Sequence, residues 1–178
     1  MFLLGCGKDG PIEPEPVPPI VYPVRSTPKN AVRYMVTAFV GRDSVRTDSV
    51  YADDYEGSSI DLTDPNPTAL AFTKADEVRV VGAMRGSVTL IRADMNFGPS
   101  ESWAQTHDGS DPVGWVSIQV PSYDIYIIDD AGDYRVQAPS PGQTQIFEFT
   151  LKPTTPDASS PTDTTWTIVR WVESRAQN

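Results

Sequence analysis

The chain has 178 residues, 39% of them hydrophobic, with 24 acidic against 14 basic side chains and a formal net charge of -10. That length suits one domain with an appendage, and that charge excludes a nucleic-acid binder, since a phosphate backbone needs clustered Lys and Arg. A single Cys and a single His exclude an internal disulfide, a multi-thiolate zinc site and a multi-histidine site, and no metal or cofactor is expected.

The first element is the N-terminal stretch Met1-Phe2-Leu3-Leu4-Gly5-Cys6-Gly7-Lys8. Leu3-Leu4-Gly5-Cys6 resembles the bacterial lipobox, in which a small residue precedes the cysteine that receives a diacylglyceryl group. Only five residues precede Cys6, fewer than the basic and apolar segments of a secretory signal require. Residues 1–10 therefore read as a truncated lipoprotein signal with Cys6 as the lipidation site. The resemblance implies a cell-envelope protein held to a membrane by its lipid, each buried methylene adding about 0.8 kcal/mol. Gly7 after the cysteine leans towards an outer membrane or cell surface. A stray cysteine in a disordered tail is the plainer alternative.

Residues 11–25 carry Pro11, Pro14, Pro16, Pro18, Pro19 and Pro23. Proline fixes φ and lacks an N–H, so neither a helix nor a central strand forms here. An extended polyproline II stalk rises about 3.1 Å per residue, so some 18 residues reach roughly 55 Å. A spacer is the common use of such a stretch, and a ligand for an SH3-like partner is the sharper one.

A globular domain over 26–175 follows. Thr27 caps and Pro28 opens a helix in which Ala31, Tyr34, Met35, Ala38 and Phe39 share one face, and Gly41 ends it. Alternation of Val32, Tyr34, Val36, Ala38 and Val40 also permits a strand, but the cap and proline decide for helix. Asp43 or Ser44 caps a second helix running through Val45, Val50, Tyr51 and Tyr55. Pro65-Asn66-Pro67 breaks the chain. Thr73-Lys74-Ala75-Asp76 starts a third helix with Val78, Val81, Gly82 and Arg85 on one face, a strand over 78–81 remaining open.

From Ser87 the period changes to two. Strands are predicted over Ser87–Met95, Trp115–Val120, Asp124–Ile128, Tyr134–Ala138, Thr144–Lys152 and Thr165–Val172, with Asp129-Asp130-Ala131-Gly132-Asp133 turning one hairpin. Helices first and strands after predict an α+β fold, with N-terminal helices packed in the concave face of a curved antiparallel sheet.

Three stretches carry a family resemblance. Thr27-Pro28-Lys29-Asn30-Ala31 through Ala38-Phe39-Val40-Gly41-Arg42-Asp43 resembles the first helix and turn of the nuclear transport factor 2-like superfamily, which includes the SnoaL-like and ketosteroid-isomerase-like proteins. Val50-Tyr51-Ala52-Asp53-Asp54-Tyr55 is similar to the acidic-aromatic close of its second helix. Trp166-Thr167-Ile168-Val169-Arg170-Trp171-Val172-Glu173 resembles its tryptophan-bearing last strand. The resemblance implies a cone-shaped, cystatin-like roll with an apolar pocket, lined here from Tyr34, Tyr51 and Tyr55. The same aromatics equally suit a filled core.

It also implies a pocket carboxylate as base where such a fold catalyses, and Asp54 is the candidate; a surface carboxylate is the simpler account of it. His107, in Thr106-His107-Asp108-Gly109-Ser110-Asp111-Pro112, sits in a loop whose adjacency assembles no triad and which lacks EF-hand spacing. No phosphate loop or dinucleotide fingerprint occurs. The expected function is a membrane-anchored module that binds a small apolar ligand or an envelope protein partner without catalysis. A pocket enzyme for a small apolar substrate and an all-β adhesin-like domain are the alternatives. The last strand predicts association: strict alternation puts Trp166, Ile168 and Val172 on one face and Val169 and Trp171 on the other. A sheet apolar on both faces needs a cover, either a homodimer or partner centred on Trp166 or Trp171, or the loop over Gly98–Gly114.

Overall fold

The computed structural model describes residues 19–99, 103–106, 108–140, 142–154 and 164–177. The lipidation site Cys6, most of the proline-rich stalk and His107 lie outside the described residues.

Helix α1 spans Pro28–Val40, opened by the Thr27 side chain accepting from the Asn30 N–H and by proline at the first helical position, and it closes at Gly41. Helix α2, Ser44–Val50, is capped by Asp43, whose carboxylate accepts from Arg46 N–H. Strand β1, Tyr51–Asp61, and strand β2, Leu70–Thr73, precede helix α3, Lys74–Ser87. Thr73 and Asp76 form a reciprocal capping box at the start of α3, which settles residues 78–81 as helix. Strands β3 (Val88–Asn96), β4 (Trp103–Gln105), β5 (Val116–Gln119), β6 (Ser122–Asp129), β7 (Gly132–Ala138), β8 (Gln143–Thr154) and β9 (Thr165–Gln177) complete the chain.

Six strands form one sheet in the order β2-β1-β9-β8-β5-β4, and three form a second in the order β3-β6-β7. The predicted hairpin is β6–β7, closed where Asp129 faces Gly132. The large sheet is mixed: β1 runs parallel to β9, while its other pairings are antiparallel. Helix α1 packs on β9, β3 and β5, and α3 packs on α2 and β1. The core gathers Val32, Val50, Ile118, Phe149, Leu151 and Ile168, all with side chains shut off from solvent. The α+β class and the helices in a curved sheet match expectation. The chain order does not, because two strands come before the third helix.

Two sequence readings fail at one place. Tyr51 pairs with Ile168, itself paired with Leu151, and Glu56 pairs with Arg170, itself paired with Thr150, so β1 and β9 each carry extra residues at the same level. A bulge leaves residues unpaired and bends its strand. On β1 it lets Asp53 and Asp54 both point to solvent between buried Tyr51 and buried Tyr55. Two inward tyrosines four residues apart imitate a helical face, so the predicted second helix runs through Tyr55 where the chain is extended from Tyr51 onward.

On β9 the bulge at Val169 makes Ile168 and Val169 both buried and reverses the alternation beyond them. Trp166 and Trp171 consequently both pack against the core cluster, and the outer face keeps Val172, 41% exposed. The expectation that one tryptophan faces outward is therefore corrected, and with it the two-faced strand that argued for a docked partner. The outer face is instead crossed by the loop after β4. There Asp111 accepts from Arg170, Asp108 lies 3.8 Å from the same guanidinium, and Trp115 lies beneath Arg170 and Lys152. Ser117 and Thr150 on this face are buried.

Candidate functional site

Between the concave face of the large sheet, the three helices and the small sheet lies a cavity of about 320 Å³. This is near the small end of ligand pockets, which run roughly 300–1,000 Å³. Helix α1 contributes Met35, Val36 and Phe39, of which Met35 and Phe39 follow buried Ala31 at one-turn spacing. Strands β8 and β9 contribute Phe147, Phe149 and Trp171. Strands β3, β6 and β7 close the opposite side with Ala93, Met95, Ile125, Ile127 and Val136, the last on the solvent side. Alternation explains each of these, since they are every second residue of their strands.

Apart from Thr47, whose hydroxyl donates to the Asp43 carbonyl, the polar groups in this apolar wall fall into two sets. The first is on α3 and β1. Tyr55 donates to Glu77 Oε1 at 3.0 Å, and the Tyr51 ring lies 4.3 Å from the Tyr55 ring, centroid to centroid. Glu77 and Tyr51 line the cavity. Burial raises the Glu77 carboxyl above its usual range, the Tyr55 hydrogen bond pulls it partly back, and Asp76 nearby adds to the rise. Burial likewise pushes both tyrosine hydroxyls upward, reinforced by Glu77.

The second set is on β6, β8 and β9. Glu173 Oε1 accepts from Tyr123 at 2.8 Å, from Gln145 Nε2 at 2.7 Å and from Arg175 at 3.5 Å, while Oε2 accepts from Ser59 at 3.3 Å. Tyr123, Glu173 and Arg175 line the cavity. The bulge at Val169 is what turns Trp171, Glu173 and Arg175 inward together.

Of the three predicted pocket tyrosines, only Tyr51 lines this cavity. Tyr55 stands behind the wall and acts on it through Glu77. Tyr34 faces another way: its hydroxyl meets Ser49 and Arg46, and its ring meets Tyr22. Asp54 is corrected as candidate base. Its side chain is 61% exposed and paired with Lys152 at 2.7 Å, whose hydrogen bond holds the carboxyl below its usual range. The sequence reading missed Glu77 and Glu173. The signals were present: Glu77 stands one helical turn before inward Val81, and Glu173 stands two residues after Trp171. Among the described residues no cluster of three or more His, Cys, Asp or Glu side chains is arranged to hold a metal, and no helix is long and apolar enough to cross a membrane.

A raised carboxyl has a consequence for stability. Glu77 binds its proton more tightly folded than unfolded, so its contribution is fully present below the ordinary value of 4.5 and is lost as pH rises through the folded value. Glu77→Gln should therefore lose less stability than the parent between pH 4.5 and about pH 8. Urea midpoints at the two pH values check this, and parallel losses would contradict it.

No protein-family model matches the chain, and no curated protein matches it by sequence. Solved structures do resemble it. A conserved protein from Planctomyces limnophilus DSM 3776 superposes with a TM-score of 0.53 at 12% identity, covering 84% of this chain and 94% of the other. A protein provisionally described as the beta subunit of an aromatic-ring-hydroxylating dioxygenase, from Novosphingobium aromaticivorans DSM 12444, gives 0.52 at 11% identity, covering 86% and 90%. A second N. aromaticivorans structure, provisionally described as an aromatic ring hydroxylase, gives 0.52 at 8% identity, covering 84% and 90%. These likenesses show the fold, which is the nuclear transport factor 2-like one.

Proposed function

We propose that this protein binds a small, largely apolar molecule in the cavity between its helices and its sheets. The observation that carries this reading is the wall itself: aromatic and aliphatic side chains enclose about 320 Å³ with two isolated polar sets. A few placed polar groups in an apolar concavity are the usual composition of a ligand site. The fold shared with proteins provisionally described as an aromatic ring hydroxylase and a ring-hydroxylating dioxygenase beta subunit supports a pocket of this kind.

The domain would work from the cell envelope, tethered through lipid on Cys6 and held off the membrane by the stalk. Mass spectrometry of the mature N-terminus tests the tether, and an unmodified Cys6 would exclude it. Binding is tested with methylnaphthalene as an apolar probe, by ligand-observed NMR on the full chain. Ala93→Trp places an indole into the cavity from β3 and should weaken binding by at least about ten-fold, a loss of some 1.4 kcal/mol, with the thermal midpoint retained. Undiminished binding in that variant would place the probe elsewhere.

A second reading is favoured by one observation, the raised carboxyl of Glu77 in an apolar wall beside two tyrosines. Such a group is placed to exchange a proton with a bound substrate. If the protein turns over its ligand, Glu77→Gln should lose about 10²-fold or more in rate with binding kept, while Asp54→Asn should lose little.

A further inference from the structure

We propose that the Glu173 end of the cavity is a recognition subsite for a hydroxyl group, so that the preferred ligand is an apolar body bearing an alcohol or phenol rather than a carboxylic acid. The inference rests on the cavity being a ligand site and names the chemistry that site selects.

Two observations carry it. The first is an unbalanced donor. The Trp171 indole Nε1 is buried and has no hydrogen-bond partner among the described residues, although Trp171 lines the cavity. A buried N–H without an acceptor carries a desolvation cost that a bound oxygen would relieve. The second is a surplus of acceptors two residues along the same face. Glu173 Oε2 takes one hydrogen bond, from Ser59 at 3.3 Å, against three on Oε1. A carboxylate offers about four acceptor positions in all, two on each oxygen. Beside it the Gln145 Oε1 is also buried and unpaired.

Trp171 and Glu173 are held together at this end. The Trp171 ring meets Phe147 edge-on at 5.4 Å, and Phe147 is the cross-strand partner of Glu173. A ligand oxygen there must accept from one neighbour and donate to the other, and a hydroxyl does both. A carboxylate ligand can only accept and would meet Glu173 and Glu77 against Arg175, the one cation among the described lining residues and already engaged by Glu173. A hydrocarbon leaves the Trp171 N–H without an acceptor and the spare Glu173 lone pair unused.

The test uses the full chain and three probes of one shape: naphthol, methylnaphthalene and naphthoate, measured by calorimetry or ligand-observed NMR. Naphthol should bind about ten-fold more tightly than methylnaphthalene, the size of one good hydrogen bond, and naphthoate more weakly than either. Trp171→Phe and Glu173→Gln should each narrow the ratio of naphthol to methylnaphthalene affinity from about ten-fold to about two-fold or less. Equal binding of all three, or a preference for naphthoate, would overturn the hydroxyl subsite while leaving the cavity as an apolar ligand site. Binding of none of them would overturn both. The parent-chain comparison decides even where a variant fails to fold.

Discussion

Replacing Phe149 by Ala should cost about 3–5 kcal/mol of folding free energy, the range for deleting a buried aromatic ring. Phe149 is 0% exposed and stands mid-way along β8, the strand that joins the two halves of the large sheet. Its backbone faces Ile118 on one side and Trp171 on the other. Its ring packs edge-on to Phe147 at 5.1 Å and nearly parallel to Trp171 at 6.2 Å. Because the ring also walls the cavity, its loss merges one void with another, and the fixed strands on either side cannot close the gap. Ile146 supplies the control: it lies three residues earlier on β8, 56% exposed on the outer face. Ile146→Ala should stay within about 1 kcal/mol of the parent. Chemical denaturation of both variants checks the contrast, and a Phe149→Ala loss no larger than that of Ile146→Ala would contradict the packing described.

The legible parts of this fold were those governed by local rules. Thr27-Pro28 and Thr73-Lys74-Ala75-Asp76 are capping signals that act within one turn, and both helices start where those residues stand. Alternation over β6, β7 and β8 similarly announced strands and the hairpin between the first two. Bulges obey no local rule of that kind. The slip among β1, β9 and β8 depends on how three strands distant in sequence meet, and it disguised a strand as a helix at Tyr51–Tyr55 and inverted the faces of β9 beyond Val169. The candidate site inherits that blindness. Glu173 and Arg175 point into the cavity only because of the bulge, and Glu77, among the acidic residues that commonly open a helix, was marked only by its place one turn before Val81. Asp54 was attractive for being acidic beside tyrosines, but the same bulge that buries the tyrosines turns it outward to Lys152.

Gly57→Val should destabilise the protein by about 2–4 kcal/mol, combining overpacking with the loss of one buried hydrogen bond. A strand interior ordinarily gains from losing glycine, so the sign itself is informative. Gly57 lies between Phe72 of β2 and Trp171 of β9 in one cross-strand row, and the two rings stack at 6.1 Å across it. A Cβ at this position would stand 2.6 Å from the Tyr55 hydroxyl, 3.2 Å from Tyr55 Cζ and 3.3 Å from Phe72 Cβ. The hydroxyl cannot simply swing aside, because Tyr55 is buried and donates to Glu77. Moving it leaves the half-buried Glu77 carboxyl without its donor at the cavity wall. The Tyr55→Phe background removes the nearest obstructing atom and the hydrogen bond together. Gly57→Val should therefore cost at least about 1 kcal/mol less in that background, within the range for directly coupled residues. Additive costs in the double-mutant cycle would show that Gly57 is needed for something other than the seat of Tyr55.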